Sequence, residues 1–575
     1  MRYLQLLLIA GALFLPACAR EQEAPLVFKV VHPDFDPHYA YVEDLSGQTR
    51  ATAKSFEGGA LSLAAKDLCA PWRAVLMYPC ATFGEVMLAA DNGGRGFSGD
   101  EGERVLEVEL ARTKATRLQA RARWAEGEGL RADAATARAL VDQALRACKA
   151  GDPAECADVL DRLCWAAEAF ELAIADEAAE RNRRAELAVS VTGPDGDPVA
   201  GVTVTIEPQR PGLLIGNGAP LPMGSSVEAP ILAAFNFITL PFYLPQLKEG
   251  RDGLIGLPVR HANARFLTER GVELKGHPLV WFFDAHTPQW LRDMSYDELK
   301  TYIHDHVYAV VKEFAGEVDR WDVINEAHSW ANSLNLSADQ LVEVTGIAAA
   351  AAVEANPAAT IVVNTCLPWG DYVAWRDDDS LMTPYEYLLR CVGAGVQFDI
   401  VGLQMYNAYA SPFPCRDLVE MSACLDRYAA LGKPIHVTEF VVPTEATEFG
   451  TWHGPKWTPE LQAEFTDGFY RVCAGKPYVE AITWWSIVDR DKDWAHTGLL
   501  YRDESPKPVY DVVRHHTATW TTVPAAVTGP DGTATFRVWA GAFRVRAEGP
   551  GGAAEAGISA APGEPVLCVL SLGAD

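Results

Sequence analysis

The sequence is short of positive charge. It has 49 Lys and Arg residues against 77 Asp and Glu residues, and its net charge is −28 over 575 residues. No basic cluster offsets this charge locally, so nucleic acid and anionic membrane surfaces are disfavoured as partners. Metal-ligand spacings are missing as well, because the sequence has no CxxC pair and no HExxH segment. We therefore expect no metal and no other cofactor, and a neutral substrate fits this composition best.

The N-terminus carries one short apolar run. Residues 1–18 contain a single cation, Arg2, followed by apolar residues from Leu6 to Leu15, which is too short for a stable membrane span. We interpret this segment as a signal peptide. It ends in Leu15-Pro-Ala-Cys18, which resembles the bacterial lipobox, whose cysteine becomes the lipidated first residue of the mature protein. The sequence thus predicts an exported protein, either anchored to the membrane of the cell envelope by a lipid on Cys18 or secreted after cleavage near Ala17.

Cysteine usage leaves disulfide bonding open. Without Cys18 the chain has an odd number of cysteines, so at least one stays free. The candidate pairs for an oxidising compartment are close in sequence: Cys69 with Cys80, Cys148 with Cys156 or Cys164, and Cys415 with Cys424. Their connectivity does not follow from the sequence.

Changes of pattern predict several domains. Short apolar alternations within residues 25–115, such as 26–31 and 105–110, predict an N-terminal β-rich domain. Residues 130–184 predict a helical hairpin, because helical spacing is interrupted at Gly151-Asp-Pro153. Two alternating runs around a Pro-Asp-Gly turn predict a β-hairpin at 185–210 that leads into the central region. The string Thr-Gly-Pro-Asp-Gly recurs at 528–532, and residues 517–575 predict a small C-terminal β domain.

Residues 211–516 have the pattern of an α/β barrel. Eight apolar runs read as strands, at 213–216, 235–240, 273–281, 320–326, 360–365, 399–406, 435–440 and 481–487. Stretches with helical patterns separate most of them, for example 296–314, 338–355, 384–392 and 459–473. Eight alternations of strand and helix predict a (β/α)8 TIM barrel, whose catalytic groups lie at the C-terminal ends of the strands.

Two glutamates stand at such strand ends. Glu326 closes the fourth run and Glu439 lies near the end of the seventh, and neither is part of a charged run. Glycosidic bond cleavage needs one carboxylic acid to protonate the leaving oxygen and a second carboxylate on the opposite side of the sugar. Two carboxylates at the ends of different strands of one barrel therefore predict a glycoside hydrolase.

Five blocks in order and in register carry a family resemblance. They are Lys275-Gly-His-Pro-Leu-Val-Trp281, Trp321-Asp-Val-Ile-Asn-Glu-Ala327, Gly402-Leu-Gln404, Val437-Thr-Glu439 and Ile482-Thr-Trp-Trp485. With the closing segment Pro506-Lys-Pro-Val-Tyr510, residues 211–516 resemble glycoside hydrolase family 10, the retaining endo-β-1,4-xylanases. The resemblance implies hydrolysis of xylan or a related plant polysaccharide by double displacement.

The resemblance also implies roles for single residues. Glu326 would be the acid/base, Glu439 the nucleophile that forms a covalent glycosyl-enzyme, and Asn325 a partner of the sugar 2-hydroxyl. The remaining implied contacts are to the sugar next to the cleaved bond: His277 and Gln404 would hold it by polar contacts, and Trp281, Trp485 and Trp494 would supply apolar faces.

The sequence departs from the family pattern at the nucleophile. Family members usually have Gln-x-His after strand 6 and Glu-x-Asp after strand 7, whereas this chain reads Gln404-Met-Tyr406 and Glu439-Phe-Val441. Both partners of the usual bridge change together. The Tyr406 hydroxyl could donate directly to Glu439 without an Asp behind it, so we expect activity to survive.

A second departure follows strand 2, where the family's polar positions fall on Pro241, Phe242 and Pro245, and Lys248 is out of register. Losing those hydrogen bonds predicts weaker discrimination among substrates. Two alternatives to a xylanase stay open. One is a glycosidase of another β-glycan, and the other is a catalytically weak or inactive carbohydrate-binding lipoprotein, which the retained Glu326, Glu439 and Asn325 disfavour.

Overall fold

A computed structural model describes most of the chain. The described residues are 24–65, 71–98, 102–218, 222–248, 250–251, 253–376, 378, 381–409, 413–445, 447–490, 496–563 and 565–573. The predictions for the signal peptide at 1–18, for Cys18 and for Trp494 lie outside these ranges. Within them, no helix is both long enough and apolar enough to cross a membrane.

The N-terminal region joins two small sheets to three helices. Its strands are β1 (Leu26–Lys29), β2 (Tyr41–Asp44), β3 (Thr52–Glu57), β4 (Ala60–Ala65), β5 (Trp72–Cys80), β6 (Gly84–Ala90) and β7 (Arg104–Val105). One sheet has the order β3-β4-β1-β7 and the other β2-β5-β6. The helices are α1 (Leu106–Gly127), α2 (Ala134–Ala150) and α3 (Pro153–Arg183). Two more strands, β8 (Arg184–Thr192) and β9 (Thr203–Pro211), precede the barrel.

The strand expected at 105–110 is wrong. Only Arg104 and Val105 are extended, and α1 starts at Leu106. Two glutamates made the segment look like an alternating strand, but both are buried with partners: Glu107 accepts from the backbone N–H groups of Val31 and His32, and Glu109 pairs with arginines. The two expected helices are present as α2 and α3, and Gly151 between them has the left-handed φ of 73° that favours glycine.

The central region is a closed barrel of eight parallel strands in sequence order, as predicted. The strands are β10 (Leu214–Gly218), β11 (Phe237–Pro241), β12 (Glu273–His277), β13 (Arg320–Asn325), β14 (Thr360–Cys366), β15 (Ile400–Tyr406), β16 (Ile435–Val441) and β17 (Val479–Trp485). The helices between them are α4 (Glu228–Ala234), α5 (Leu244–Leu247), α6 (Leu257–Thr268), α7 (Gln289–Arg292), α8 (Tyr296–Glu313), α9 (Ala338–Ala355), α10 (Pro384–Gly393), α11 (Leu418–Ala429) and α12 (Pro459–Gly475). Helix α13 (Pro508–Thr521) follows β17.

Strands that precede and follow the barrel in the sequence together form a β-sandwich. The chain ends with β18 (Ala526–Val527), β19 (Thr533–Trp539), β20 (Gly541–Gly549), β21 (Gly552–Ala560) and β22 (Val566–Ser571). These strands combine with the two that precede the barrel, in one sheet of order β19-β8-β22 and another of order β18-β9-β20-β21. The barrel is thus inserted into the sandwich between β9 and β18.

This arrangement corrects two predictions, the β-hairpin at 185–210 and the separate C-terminal β domain at 517–575. The turn forms, since Gly196 N–H donates to the Gly193 carbonyl at 3.0 Å, but β8 and β9 then enter different sheets. Each strand has an apolar face, such as Val189 on β8 and Val204 on β9, and both are fully buried in one core. Two facing sheets bury both faces, whereas a lone hairpin would leave its apolar face in water.

Disulfide bonds are absent from the described residues. Ten cysteines lie there as free thiols, including Cys80, Cys148, Cys156, Cys164, Cys415 and Cys424, and Cys69 lies outside the described residues. The cysteines therefore act mainly as buried apolar side chains in this structure.

Candidate active site

Both glutamates lie at the C-terminal end of the barrel. Glu326 directly follows β13, the fourth barrel strand, and Glu439 is near the end of β16, the seventh. Glu439 is 4% exposed, and Glu326 is partly exposed. The carboxyl ends of barrel strands are where this fold carries chemistry.

Strained backbone is concentrated at this end. Glu326 has a left-handed φ of 53°, as do Leu367 (φ 53°) after β14, Ala408 (φ 49°) after β15 and Ser486 (φ 78°) after β17. Non-glycine residues rarely adopt this conformation, and it persists only where surrounding structure holds it. At Glu326 the backbone N–H donates to the Asn364 carbonyl at 3.0 Å, which fixes the strained residue to the neighbouring strand.

Neutral donors surround the Glu326 carboxyl group. Gln404 Nε2 donates to its Oε1 at 2.8 Å and Trp281 Nε1 to its Oε2 at 3.2 Å. Beside it, the Asn325 Oδ1 accepts from Asn364 Nδ2 at 2.8 Å and from Gln404 Nε2 at 3.2 Å. Burial raises the pKa of Glu326 above its usual range, although these hydrogen bonds oppose the shift. The group can therefore hold a proton at a pH where ordinary glutamates have lost theirs.

Tyr406 is bonded to Glu439, as predicted from the sequence. Its hydroxyl donates to Glu439 Oε2, and His277 Nε2 stands 3.9 Å from Oε1. Burial, and then the charge of Glu439, raise the pKa of Tyr406 well above its usual value, so the phenol stays protonated. Burial and the charge of Glu326 raise the pKa of Glu439, while Tyr406 and Lys275 act in the opposite direction. Tyr406 and Lys275 thus favour the charged form of Glu439 and partly oppose the effect of burial and of Glu326.

The buried Asp322 and Lys275 hold His277 in place. Its Nδ1–H donates to the Asp322 carboxylate at 2.7 Å, and Lys275 Nζ lies 2.7 Å from the same oxygen. Burial raises the pKa of Asp322, but Lys275 and His277 outweigh it and the net pKa is lowered. Burial lowers the pKa of His277. His277 is therefore neutral, with the proton on Nδ1 and the Nε2 lone pair on the side where Glu439 lies.

Aromatic rings form the rim beside His277. The Trp485 ring is 5.3 Å from the His277 ring, and it lies so close to the first barrel strand that a Cβ at Gly218 would stand 2.1 Å from it. Tyr243 is 5.6 Å from His277 and stacks on His286 at 4.9 Å. His286 in turn stacks on Trp281, with ring centroids 4.6 Å apart.

The segment at the end of β11 has apolar side chains at the family's polar positions. Phe242 is fully buried between Phe314 and Trp321, with both ring centroids 4.9 Å away, so it supports the barrel and does not face a ligand. Pro241 gives its carbonyl to Arg260 at 3.0 Å. Tyr243 is the side chain from this segment that stands near the carboxylates. Burial, and then the charges of Glu439 and Glu326, raise the pKa of its phenol.

The structure brings the described site residues predicted from the sequence to one place: Glu326, Glu439, His277, Trp281, Asn325, Gln404, Tyr406 and Trp485. Sequence reasoning missed Tyr243, Lys275 and Asp322 as members of this site. The signal for the last two was present, because a lysine and an aspartate inside otherwise apolar strands must pair when buried.

Fold and site together define the class. A closed parallel barrel with two carboxyl groups at its C-terminal face, one held by amide and indole donors and the other by a phenol, is a glycoside hydrolase domain. Residues 258–516 match the family model described as Glycosyl hydrolase family 10. This match runs from α6 into α13 and includes Glu326 and Glu439.

Several characterised proteins are similar to this region. Endo-1,4-beta-xylanase B of Thermotoga neapolitana is 27% identical over 267 residues, which are 44% of this chain and 71% of the relative. Endo-1,4-beta-xylanase B of Neocallimastix patriciarum is 25% identical over 256 residues, and the match spans 43% of this chain and 27% of that protein. The crystal structure of xylanase 10B from Thermotoga petrophila with xylobiose is 22% identical, covers 53% of this chain and 95% of its own, and has a TM-score of 0.42.

Proposed function

We propose that the protein is a retaining endo-β-1,4-glycanase that hydrolyses xylan. The observation that carries this proposal is the pair of carboxyl groups on one barrel face, with Gln404 and Trp281 on Glu326 and Tyr406 on Glu439. The relatives named as endo-1,4-beta-xylanases support the substrate and the internal point of attack.

In the first step Glu439 attacks the anomeric carbon, and the bond to the leaving oxygen breaks. Glu326 gives its proton to that oxygen, so the shorter chain leaves as a neutral alcohol and a covalent glycosyl-enzyme remains. In the second step Glu326, now a carboxylate, takes a proton from water as the water attacks the same carbon. The bond from that carbon to Glu439 breaks, so Glu439 leaves as a carboxylate and the sugar is released. Two inversions give net retention, and the raised pKa of Glu326 suits a group that first donates and then accepts a proton.

Asn325 and His277 are placed to bind sugar hydroxyl groups. Both lone-pair positions of the Asn325 Oδ1 are used by neighbouring amides, which leaves its Nδ2 as the donor to a 2-hydroxyl. The neutral His277 has an Nε2 acceptor for another hydroxyl. Gln404 donates to both Asn325 and Glu326, and we assign it the role of orienting them.

The test is hydrolysis by the purified full chain. We expect reducing sugar from xylan, with oligosaccharides of mixed length as early products, and the first product formed with retained anomeric configuration by NMR. Mixed-linkage glucan and cellulose are assayed in parallel, and Glu439→Ala is the inactive control. Release from neither xylan nor any other β-glycan contradicts the proposal, and a clear preference for a different β-glycan replaces the substrate while keeping the chemistry.

We also propose that the protein is exported and held at the cell envelope by a lipid on Cys18. Support comes from the segment Leu15-Pro-Ala-Cys18 after a short apolar run. Expression in a bacterium with labelled fatty acid should label the wild type and leave Cys18→Ser unlabelled. Label on both proteins, or on neither, contradicts lipidation at this cysteine, and an unlabelled protein in the medium supports plain secretion.

A further inference from the structure

The N-terminal sheets are fastened to the loops around the catalytic face. Met87 N–H on β6 donates to the Cys415 carbonyl at 2.8 Å, and Thr451 N–H donates to the Glu85 carbonyl at 2.9 Å. Thr52 N–H on β3 donates to the Ala374 carbonyl at 2.8 Å. Residues Ala374, Cys415 and Thr451 belong to the loops after the fifth, sixth and seventh barrel strands. The N-terminal region therefore adds a wall beside one half of the catalytic face.

A cleft lies where this wall meets the loop after the fifth barrel strand. Its volume is about 600 Å³, and it is lined by His38, Tyr39, Ala51–Lys54 and Ala374–Arg376. The half-buried Trp375 ring is held edge-on by Tyr39, with ring centroids 5.3 Å apart and planes at 66°. His38, Lys54 and Arg376 are exposed at the margin. An aromatic wall with polar groups at its edge suits a sugar ring, and the volume is that of small-ligand sites.

Side-chain contacts connect the edge of the cleft to the segment that follows Glu326. The Arg376 guanidinium lies 4.7 Å from the centre of the Trp330 ring, and Trp330 packs on Tyr372 at 5.6 Å. Trp330 follows Glu326 by one tight turn, in which Ser329 N–H donates to the Glu326 carbonyl at 3.1 Å. Trp330 and Arg376 thus lie between the acid/base and the cleft.

The side of the site on which the cleft lies decides which part of a substrate it meets. Glu326 protonates the leaving oxygen, so the leaving part of the chain extends past Glu326. The rings on the other side, Trp485 and Tyr243 around His277, come from the eighth and second strand ends. The cleft at Trp375 therefore lies on the leaving-group side.

We propose that this cleft is a distal binding position for the leaving-group part of a β-linked glycan, built jointly by the N-terminal region and the barrel. The proposal rests on the glycanase function given above and adds a contribution from a region outside the matched family domain. Binding at this cleft makes the enzyme prefer long chains, because a short substrate ends before it reaches Trp375.

Two variants test this from opposite directions. Trp375→Ala removes the ring, and Ala53→Trp fills the cleft from an exposed position on β3 without removing any packing. Trp124→Ala is the control, since this tryptophan of α1 is 39% exposed and lies outside the cleft. The readout is the ratio of kcat/KM for long over short reducing-end-labelled oligosaccharides. We expect the ratio to fall about fivefold in both test variants and to stay unchanged in the control.

Affinity provides a second readout that does not need turnover. In the Glu439→Ala background, Ala53→Trp should weaken calorimetric binding of the long oligosaccharide about fivefold relative to the short one. An unchanged ratio in Ala53→Trp, in kinetics and in binding, overturns the proposal, as does an equal loss for long and short chains. Absence of hydrolysis by the unmodified protein instead contradicts the glycanase function, and the binding measurement still decides on the cleft.

Discussion

The centre and the rim of the catalytic face are built differently. At the centre, hydrogen bonds connect the polar side chains around Glu326 and Asn325: Gln404 donates to both, and Asn364 donates to Asn325. At the rim after β11, the side chains are Pro241, Phe242 and Tyr243, and Phe242 faces the core. The centre is a hydrogen-bonded network, and the rim is a stack of rings.

This difference separates reaction from selectivity. A network that orients two carboxyl groups acts on the bond being broken, whichever sugar carries it. A site rejects a wrong sugar when that sugar leaves polar groups of the protein without a hydrogen-bond partner. The rim has ring faces where such polar groups would stand. We therefore expect substitutions at the centre to lower rates on all β-glycans alike, and substitutions at the rim to have small effects.

The largest effects should come from the two carboxyl groups. Glu439→Ala should lower kcat about 10⁴-fold or more on every substrate, because no covalent intermediate can form. Glu326→Ala should lower kcat about 10²- to 10⁴-fold on polysaccharide and far less on an aryl glycoside whose leaving group needs no proton. Steady-state kinetics with both substrate types separates the two roles.

The matched control for both is Glu313→Ala, a glutamate at the end of α8, outside the catalytic face. It should behave as the wild type. If the aryl glycoside rescued Glu439→Ala instead of Glu326→Ala, the acid and the nucleophile would have to be exchanged.

Tyr406→Phe should have an intermediate effect at the centre. Loss of the hydrogen bond to Glu439 should lower kcat/KM about tenfold. The hydroxyl lowers the pKa of Glu439, so its removal raises that pKa further, and the acidic limb of the pH profile should move to higher pH. A pH profile of kcat/KM measures both changes.

Tyr296→Phe is a close control for this variant. Tyr296 also donates to a glutamate, Glu343, at 2.7 Å, but on the outer helices of the barrel. Its loss should leave the pH profile unchanged. An unmoved acidic limb in Tyr406→Phe would show that this hydrogen bond does not set the charge of the nucleophile.

The sequence predicted the barrel and the centre of its catalytic face better than the regions around them. Eight apolar runs were enough for the barrel, because parallel strands buried on both faces are nearly continuous in hydrophobicity. The Tyr406 bond to Glu439 was predicted from the paired departure from the family pattern. The register of the two neighbouring strands accounts for it, because Gln404 stands beside Glu439. Local pattern and family blocks both carried this information.

Pairing between strands that are far apart in the sequence could not be predicted in the same way. The partners of β8 are β19 and β22, far along the chain, so the local turn at Gly193 wrongly predicts a hairpin. The start of α1 at Leu106 was not predicted, because Glu107 and Glu109 alternate with apolar residues as in a half-buried strand, although both are buried in the helix. Tyr243 was not predicted as a site residue, because its place there depends on ring contacts with His277 and His286, which lie far along the chain. In each case the deciding contact lies outside the local sequence window.

The smallest effect should come from the rim. The test removes a tyrosine hydroxyl there, as Tyr406→Phe does at the centre. Tyr243→Phe takes away a hydroxyl near the carboxylates, but the ring keeps its stack on His286 and its edge contact with His277. If ring faces do the binding there, kcat/KM should change less than about threefold on xylan and on mixed-linkage glucan, with their ratio preserved. A loss as large as that of Tyr406→Phe, or a shifted ratio, would show that the rim reads sugars by hydrogen bonding after all, and the contrast between centre and rim would fail.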